Sequence, residues 1–278
     1  MPSSVFALLM GAAALHAFWN ALIRGAEDRV ATTIAVAGGA AFVAVVVLPF
    51  MDQPARASWP FLVLSTVIHI ISYLLTARAY HEADMTQVYP LMRGAAPLMT
   101  AFAAVLWLRE TVPTMAWVGI AVISCGIGSL VLARHHNWSG KGVIYALVNA
   151  LAIAGYSIID GQGVRAAQAP AGYVLWVFLL TGTAMLAWNL ALGRHAFAVR
   201  LAHHAWRGVS GGAGSVCSYG IALWAMTRVS IAVVSATREC SIVFGTLIAV
   251  IFLGERVSVR RVVATLCIVL GTALLRLS

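Results

Sequence analysis

The sequence predicts an all-α integral membrane protein of ten transmembrane helices, arranged as two inverted repeats of five. Of its 278 residues 62% are hydrophobic and 10% charged, with a mean hydropathy of +0.92. A globular chain has about a quarter of its residues charged. Apolar runs of about 20 residues, the length that crosses a ~30 Å hydrocarbon core, occur ten times. Arg93, Glu110 and Gly126 recur as Arg238, Glu255 and Gly271, each pair 145 positions apart. An internal register of this kind marks duplicated membrane bundles whose binding sites lie where the halves meet, near the bilayer midplane.

The spans follow from the apolar runs and the polar residues between them. The first, 4–23, carries His16, Trp19 and Asn20 and lacks a basic leader and a cleavage motif, so it reads as a helix rather than a signal peptide. The second, 30–50, is set off by charges at 24–29 and 52–56. The third, 58–78, opens with an interfacial Trp59. The fourth and fifth, 85–108 and 113–133, flank Arg109, Glu110 and Thr111. The sixth, 140–160, ends at Asp160, with polar punctuation from Gly161 to Ala169. The seventh to tenth are 170–192, 207–227, 230–253 and 258–276. Residues 1–133 thus hold one repeat and 140–278 the other. Five spans per half is an odd number, so the second half enters from the opposite side and the repeats are inverted.

Charge excludes other classes. The formal net charge of +9 is scattered singly between apolar runs and forms no basic face for nucleic acid. Anionic lipid headgroups account for it better. Cys125, Cys217, Cys240 and Cys267 fall inside apolar segments without metal or redox spacing, and the histidines at 135, 136, 203 and 204 are loop residues. No cofactor, metal or nucleic acid is expected; the partners are the bilayer and a small-molecule substrate. The chain is expected to be a monomer, with a homodimer as the alternative. Counting basic residues in alternate loops puts both termini outside.

The ionisable residues inside the spans are the candidate site. Arg93 and Arg238 each lie eight residues into a span, about 12 Å deep at 1.5 Å per residue. Since the halves are inverted, both guanidinia come within a few ångströms of the midplane, where one small ligand could touch both. A mid-span arginine costs ~2.5–3.5 kcal/mol, so each should face a polar cavity, an acid or an anionic ligand. The alternative is a permanent pairing with Glu239 or Asp160 that locks the helices. Against it, Glu239 points about 100° around the helix from its neighbour Arg238.

Further candidates follow from helical spacing. Tyr89 and Pro97 share the face of Arg93. His69 and Tyr73 share a face, as do their counterparts Ser215 and Tyr219. His16 and Asn20 form another polar face beside Trp19, and Tyr156 stacks over Asp160. Packing roles compete with ligand contact for the tyrosines, and Gly208, Gly211, Gly212 and Gly214 suit close helix packing. Asp160 and Glu239 are the candidate coupling acids, although Asp160 at a solvated helix end would be inert. Glu110 and Glu255 are expected to set turns.

Leu108-Arg-Glu110 and Leu253-Gly-Glu255, each before an apolar span with a late glycine, resemble the EamA-like branch of the drug/metabolite transporter superfamily. Leu15–Asn20, Tyr89–Pro97 and Tyr156–Arg165 resemble a recurring bacterial subgroup. The resemblance implies a 5+5 bundle around a central cavity bordered by spans 1, 3, 4, 6, 8 and 9, with Arg93, Arg238, Tyr73 and Tyr219 on cavity helices. It also implies cytoplasmic termini, opposite to the loop-charge reading.

The expected function is therefore secondary transport of a small anionic or zwitterionic metabolite, an amino acid or related carboxylate or phosphonate. The expected mechanism is alternating access in a bacterial inner membrane, by an exporter or exchanger. No nucleotide-binding motif is present. The rival readings are an intramembrane enzyme using Ser215 and His69, whose Gly212–Ser215 context is out of pattern, and a non-transporting scaffold or sensor, which leaves two mid-membrane arginines unexplained.

Overall fold

The computed structural model describes residues 1–26, 29–132, 139–191, 205–254 and 258–278. These form α1 (Ser3–Arg24), α2 (Arg29–Val47), α3 (Trp59–Glu82), α4 (Met85–Leu108), α5 (Thr114–Leu132), α6 (Gly140–Ala167), α7 (Pro170–Ala191) and α8 (Ala205–Met226). The next span is broken: α9 (Ile231–Thr237) and α10 (Ser241–Leu253) are joined by a 3-10 turn at Arg238–Cys240, and α11 (Val259–Leu277) follows. Helices satisfy their own backbone groups, which hydrocarbon cannot do. The loop histidines at 135, 136, 203 and 204 and the turn acid Glu255 lie outside the described residues.

Among the described residues, seven segments are long and apolar enough to cross a bilayer by themselves. The other three spans, α5, α8 and α11, are each packed through glycines. A Cβ on Gly208 would stand 2.7 Å from the carbonyl of Ala35, and one on Gly211 2.7 Å from a methyl of Val36. So α8 lies flat on α2 as an unbroken helix, the packing role its glycine series suits.

The inverted two-fold is visible in the packing. Helix α3 packs on α6 as α8 does on α1, α4 on α6 as α10 on α1, and α2 on α8 as α7 on α3. Two contacts map onto themselves, α2 with α7 and α5 with α11. Across α5 and α11, a Cβ on Gly119 would lie 2.8 Å from the carbonyl of Gly271, and one on Gly126 would lie 2.5 Å from the Cβ of Cys267 and 3.3 Å from the carbonyl of Ala264. Ascending α5 from 119 to 126 therefore descends α11 from 271 to 264. Equivalent helices of the two repeats run antiparallel, so the two-fold axis lies in the membrane plane. The 145-residue register also sets the helix ends: Arg109 (φ 53°) after α4 and Gly254 (φ 60°) after α10 both adopt the left-handed conformation that stops a helix.

Two boundaries differ from the sequence reading. Helix α3 continues to Glu82, and α6 runs to Ala167 rather than ending at Asp160. Gly161 and Gly163, read as punctuation, are packing residues: a Cβ on Gly161 would collide with Ile231, and one on Gly163 with Tyr173. The helix ends only at Gln168, which is left-handed (φ 57°). Asp160 is consequently buried in a helix interior and not at a solvated end.

Overpacking a tight helix contact costs ~1–3 kcal/mol. Gly271→Leu should lower the thermal stability of the detergent-solubilised protein by that order, whereas Gly128→Leu, where a Cβ meets nothing within 4 Å, should leave it nearly unchanged. Equal effects would mean that the α5–α11 contact is not the close one described.

Candidate functional site

The break between α9 and α10 places two charged residues in the middle of a span. Ser230 caps α9, its side chain accepting from the Val233 N–H, and Thr237 returns its hydroxyl to the carbonyl of Val233 at 2.7 Å. The chain then tightens through Arg238, Glu239 and Cys240 before α10 resumes. On the facing helix, α4 stays continuous through Pro90 and Pro97. Pro97 has no N–H for the carbonyl of Arg93, four residues earlier.

Glu239 reaches across the repeat interface to Arg93, with Nε and Oε2 3.0 Å apart and both side chains largely buried. The N–H is not aimed squarely at that oxygen, so the contact is an ion pair more than a directed hydrogen bond. Pairing with Glu239 is thus the state of Arg93, as the locking alternative has it. Arg238 makes no ion pair among the described residues; its guanidinium lies over the ring of Tyr219, 4.8 Å from the centroid.

Asp160 is fully buried. It accepts one phenol on each oxygen, Tyr219 Oη on Oδ2 at 2.6 Å and Tyr173 Oη on Oδ1 at 3.0 Å. Tyr156, one turn earlier on α6, lies within Coulombic range of Arg93, Arg238, Asp160 and Glu239, and its ring stacks on His69 at 4.1 Å. His69 Nδ1 is engaged by the hydroxyl and carbonyl of Ser65. Tyr89 lies within Coulombic range of Arg93 and packs against the small apolar cluster of Val88, Met92 and Ala146.

A cavity of about 550 Å³, counting its open mouth, lies beside this cluster between α1, α2, α3, α7 and α8. Trp19, His69, Tyr73 and Ser215 line it; Arg93, Arg238, Tyr89, Tyr156, Asp160 and Glu239 do not. Asn20 turns its amide back to the carbonyl of His16 at 2.8 Å, and His16 meets Trp19 edge-on at 4.9 Å. The ring of Tyr219 joins the two regions, 5.9 Å from Phe178 and 6.0 Å from His69 on the cavity wall. Tyr73 and Tyr219, equivalent by sequence, differ in environment: Tyr73 is 40% exposed and Tyr219 7%.

Toward the face where α1 begins, the bundle is closed by polar contacts. Arg165 Nη2 meets Glu110 Oε1 at 2.8 Å, and its Nε donates to the carbonyl of Met226 at 2.8 Å. The other Glu110 oxygen accepts the N–H of Ile231 at 3.0 Å. Glu110 therefore joins the turn after α4 to the start of α9, a turn-setting role extended across the repeats. Sequence reasoning missed Arg165 and Tyr173, because nothing local marks a residue whose partner comes from another helix.

Ten helices in inverted halves, meeting at buried charges near mid-span, define a membrane transporter bundle. Residues 3–132 and 140–277 match the EamA-like transporter family, and the chain belongs to it. A solved structure described only as "Crystal structure of protein" superposes with a TM-score of 0.77, covering 100% of this chain and 99% of that one at 16% identity. At that identity the likeness shows the shared fold. No curated protein matches the chain.

Removing one partner of a buried ion pair strands the other, at ~3–5 kcal/mol, whereas an apolar pair of similar volume is often tolerated. Arg93→Met should therefore destabilise the protein by that order, and adding Glu239→Leu should restore most of the loss in detergent unfolding. A double variant no more stable than Arg93→Met would show that the two side chains are not coupled.

Proposed function

We propose that the chain is a secondary transporter of a small zwitterionic or anionic metabolite, an amino acid or related carboxylate. It works by alternating access in a bacterial inner membrane, as an exporter or exchanger, and Arg238 holds the cargo's carboxylate. The observation that carries this reading is the difference between the two arginines. Arg93 has a carboxylate at 3.0 Å, while Arg238, on the same broken span as Glu239, has no directly paired carboxylate among the described residues and lies over the face of Tyr219. A guanidinium in the membrane without a directly paired acid favours an anionic ligand.

Charge balance narrows the cargo. Two arginines, Arg93 and Arg238, and two carboxylates, Asp160 and Glu239, sum to zero when all four are ionised. A zwitterion, or an anion accompanied by a proton, keeps that sum, which limits the cost of burying charge. Asp160 is the candidate proton carrier because its phenol partners tie it to Tyr219 and so to Arg238.

Counterflow in proteoliposomes tests the reading. Charged hydrogen bonds are worth ~1.5–3 kcal/mol, so Arg238→Ala should lower exchange of amino acids by roughly 10- to 100-fold. Arg238→Lys should retain part of it, since lysine keeps the charge without the bidentate fork. Asp160→Asn should preserve exchange and abolish its response to a pH gradient. Wild-type exchange by Arg238→Ala would refute the carboxylate site, and an intact pH response in Asp160→Asn would remove the coupling role.

A further inference from the structure

The two faces of the bundle are not closed alike. The cavity reaches Ile23 at the end of α1 and Thr33 near the start of α2. Toward the other face its lining stops at Ala40 on α2 and Val177 on α7, about two helical turns inside the helix ends.

That other face, where α1 begins, is held by one carboxylate. Glu110, in the turn after α4 of the first repeat, commits each oxygen to a different element of the second. Oε1 meets Arg165 Nη2 near the end of α6 at 2.8 Å, and Oε2 accepts the Ile231 N–H that opens α9 at 3.0 Å. Arg165 also donates from Nε to the carbonyl of Met226 at 2.8 Å and from Nη2 to that of Val229 at 3.3 Å, where α8 turns into α9. Beneath this clasp the seal is apolar: Ile231 occupies the hollow at Gly161, where a Cβ would collide with it.

The clasp differs from the central ion pair in what breaking it costs. The Arg93 and Glu239 side chains are 14% and 5% exposed, whereas those of Arg165 and Glu110 are 32% and 11% exposed. A pair near the surface separates with its charges passing into water, so neither is stranded in hydrocarbon.

Helix α9 is suited to move with the clasp. It is 7 residues long, ~10 Å at 1.5 Å per residue. The 3-10 turn at Arg238–Cys240 divides it from α10, and 3-10 stretches inside a helix often serve as hinges. Glu110 holds one end of this short arm, and Arg238 stands at the other.

We infer that Glu110, Arg165 and α9 form the gate of the face where α1 begins. The clasp holds that face shut; parting of Glu110 from Arg165 and Ile231, with bending at the 3-10 turn, opens a path to the cluster around Arg238. The inference rests on the alternating-access reading. In that mechanism the two openings exclude each other, so opening this gate closes the cavity at the opposite face.

Thiol labelling of the full-length chain in detergent reads both faces. With Cys125, Cys217, Cys240 and Cys267 replaced by alanine, Val234→Cys reports the gate, because Val234 is fully buried on α9 shortly after Ile231. Ala37→Cys reports the cavity that Ala37 lines. A charged maleimide should label position 234 slowly and position 37 readily. Adding Arg165→Met or Glu110→Gln removes a charged hydrogen bond, which suffices to shift a two-state equilibrium by about tenfold or more. Labelling at 234 should rise by that order while labelling at 37 falls.

Opposite changes at the two reporters are the signature of a gate. Any other pattern overturns the inference; a rise at both positions would show that the clasp only fastens the fold. Counterflow of amino acids by the wild type separates this result from the cargo reading. Opposite labelling changes in a protein that exchanges no amino acid leave the gate standing and remove the proposed cargo. Exchange by the wild type without those labelling changes keeps the cargo and removes the gate.

Discussion

The ion pair between Arg93 and Glu239 joins equivalent spans of the two repeats at their shared centre, and much of the arrangement around it follows. Each charge would be costly alone at that depth. Together they fasten continuous α4 to the one span that breaks, and the break lets Glu239 face α4 while Arg238 faces Tyr219. Tyr219 then carries the connection to Asp160, whose second oxygen is held by Tyr173. Two guanidinium groups, two carboxyl groups and two phenols therefore share a small volume.

Symmetry governs the scaffold more than the site. Glycine contacts and left-handed helix ends repeat at the 145-residue register, but the side chains around the cavity do not. Tyr73 is half-open where Tyr219 is buried, and His69 stacks on an aromatic ring where its counterpart Ser215 offers a hydroxyl. Backbone packing must fit both halves of a two-fold contact at once, so it resists divergence. A ligand that lacks two-fold symmetry needs unlike groups at equivalent places.

This difference explains what could be read from the sequence. Hydropathy and the repeat were enough for the ten spans, for α4 at 85–108, and for putting Arg93 and Arg238 at matching depths in their spans. The angular argument separated Glu239 from its neighbour Arg238, but its ion-pair partner, Arg93, sits on another helix 146 residues away and leaves no local trace. The end of α6 was misread because Gly161, Gly163 and Arg165 look like a loop by composition. In the fold the glycines admit Ile231 and Tyr173, and the arginine is held by Glu110.

The α5–α11 contact has a consequence for how such a chain could arise. Gly119 meets Gly271 as Gly126 meets Ala264, and each pair is the other read through the two-fold. That is an isologous surface, one that recognises an upside-down copy of itself, as the interface of a symmetric homodimer does. A lone five-helix unit bearing this surface would find its complement only in a second molecule inserted the opposite way. Tandem fusion supplies that molecule at a fixed one-to-one ratio and turns a concentration-dependent encounter into an intramolecular one. Once fused, the two halves no longer need identical sequences, and each is free to specialise.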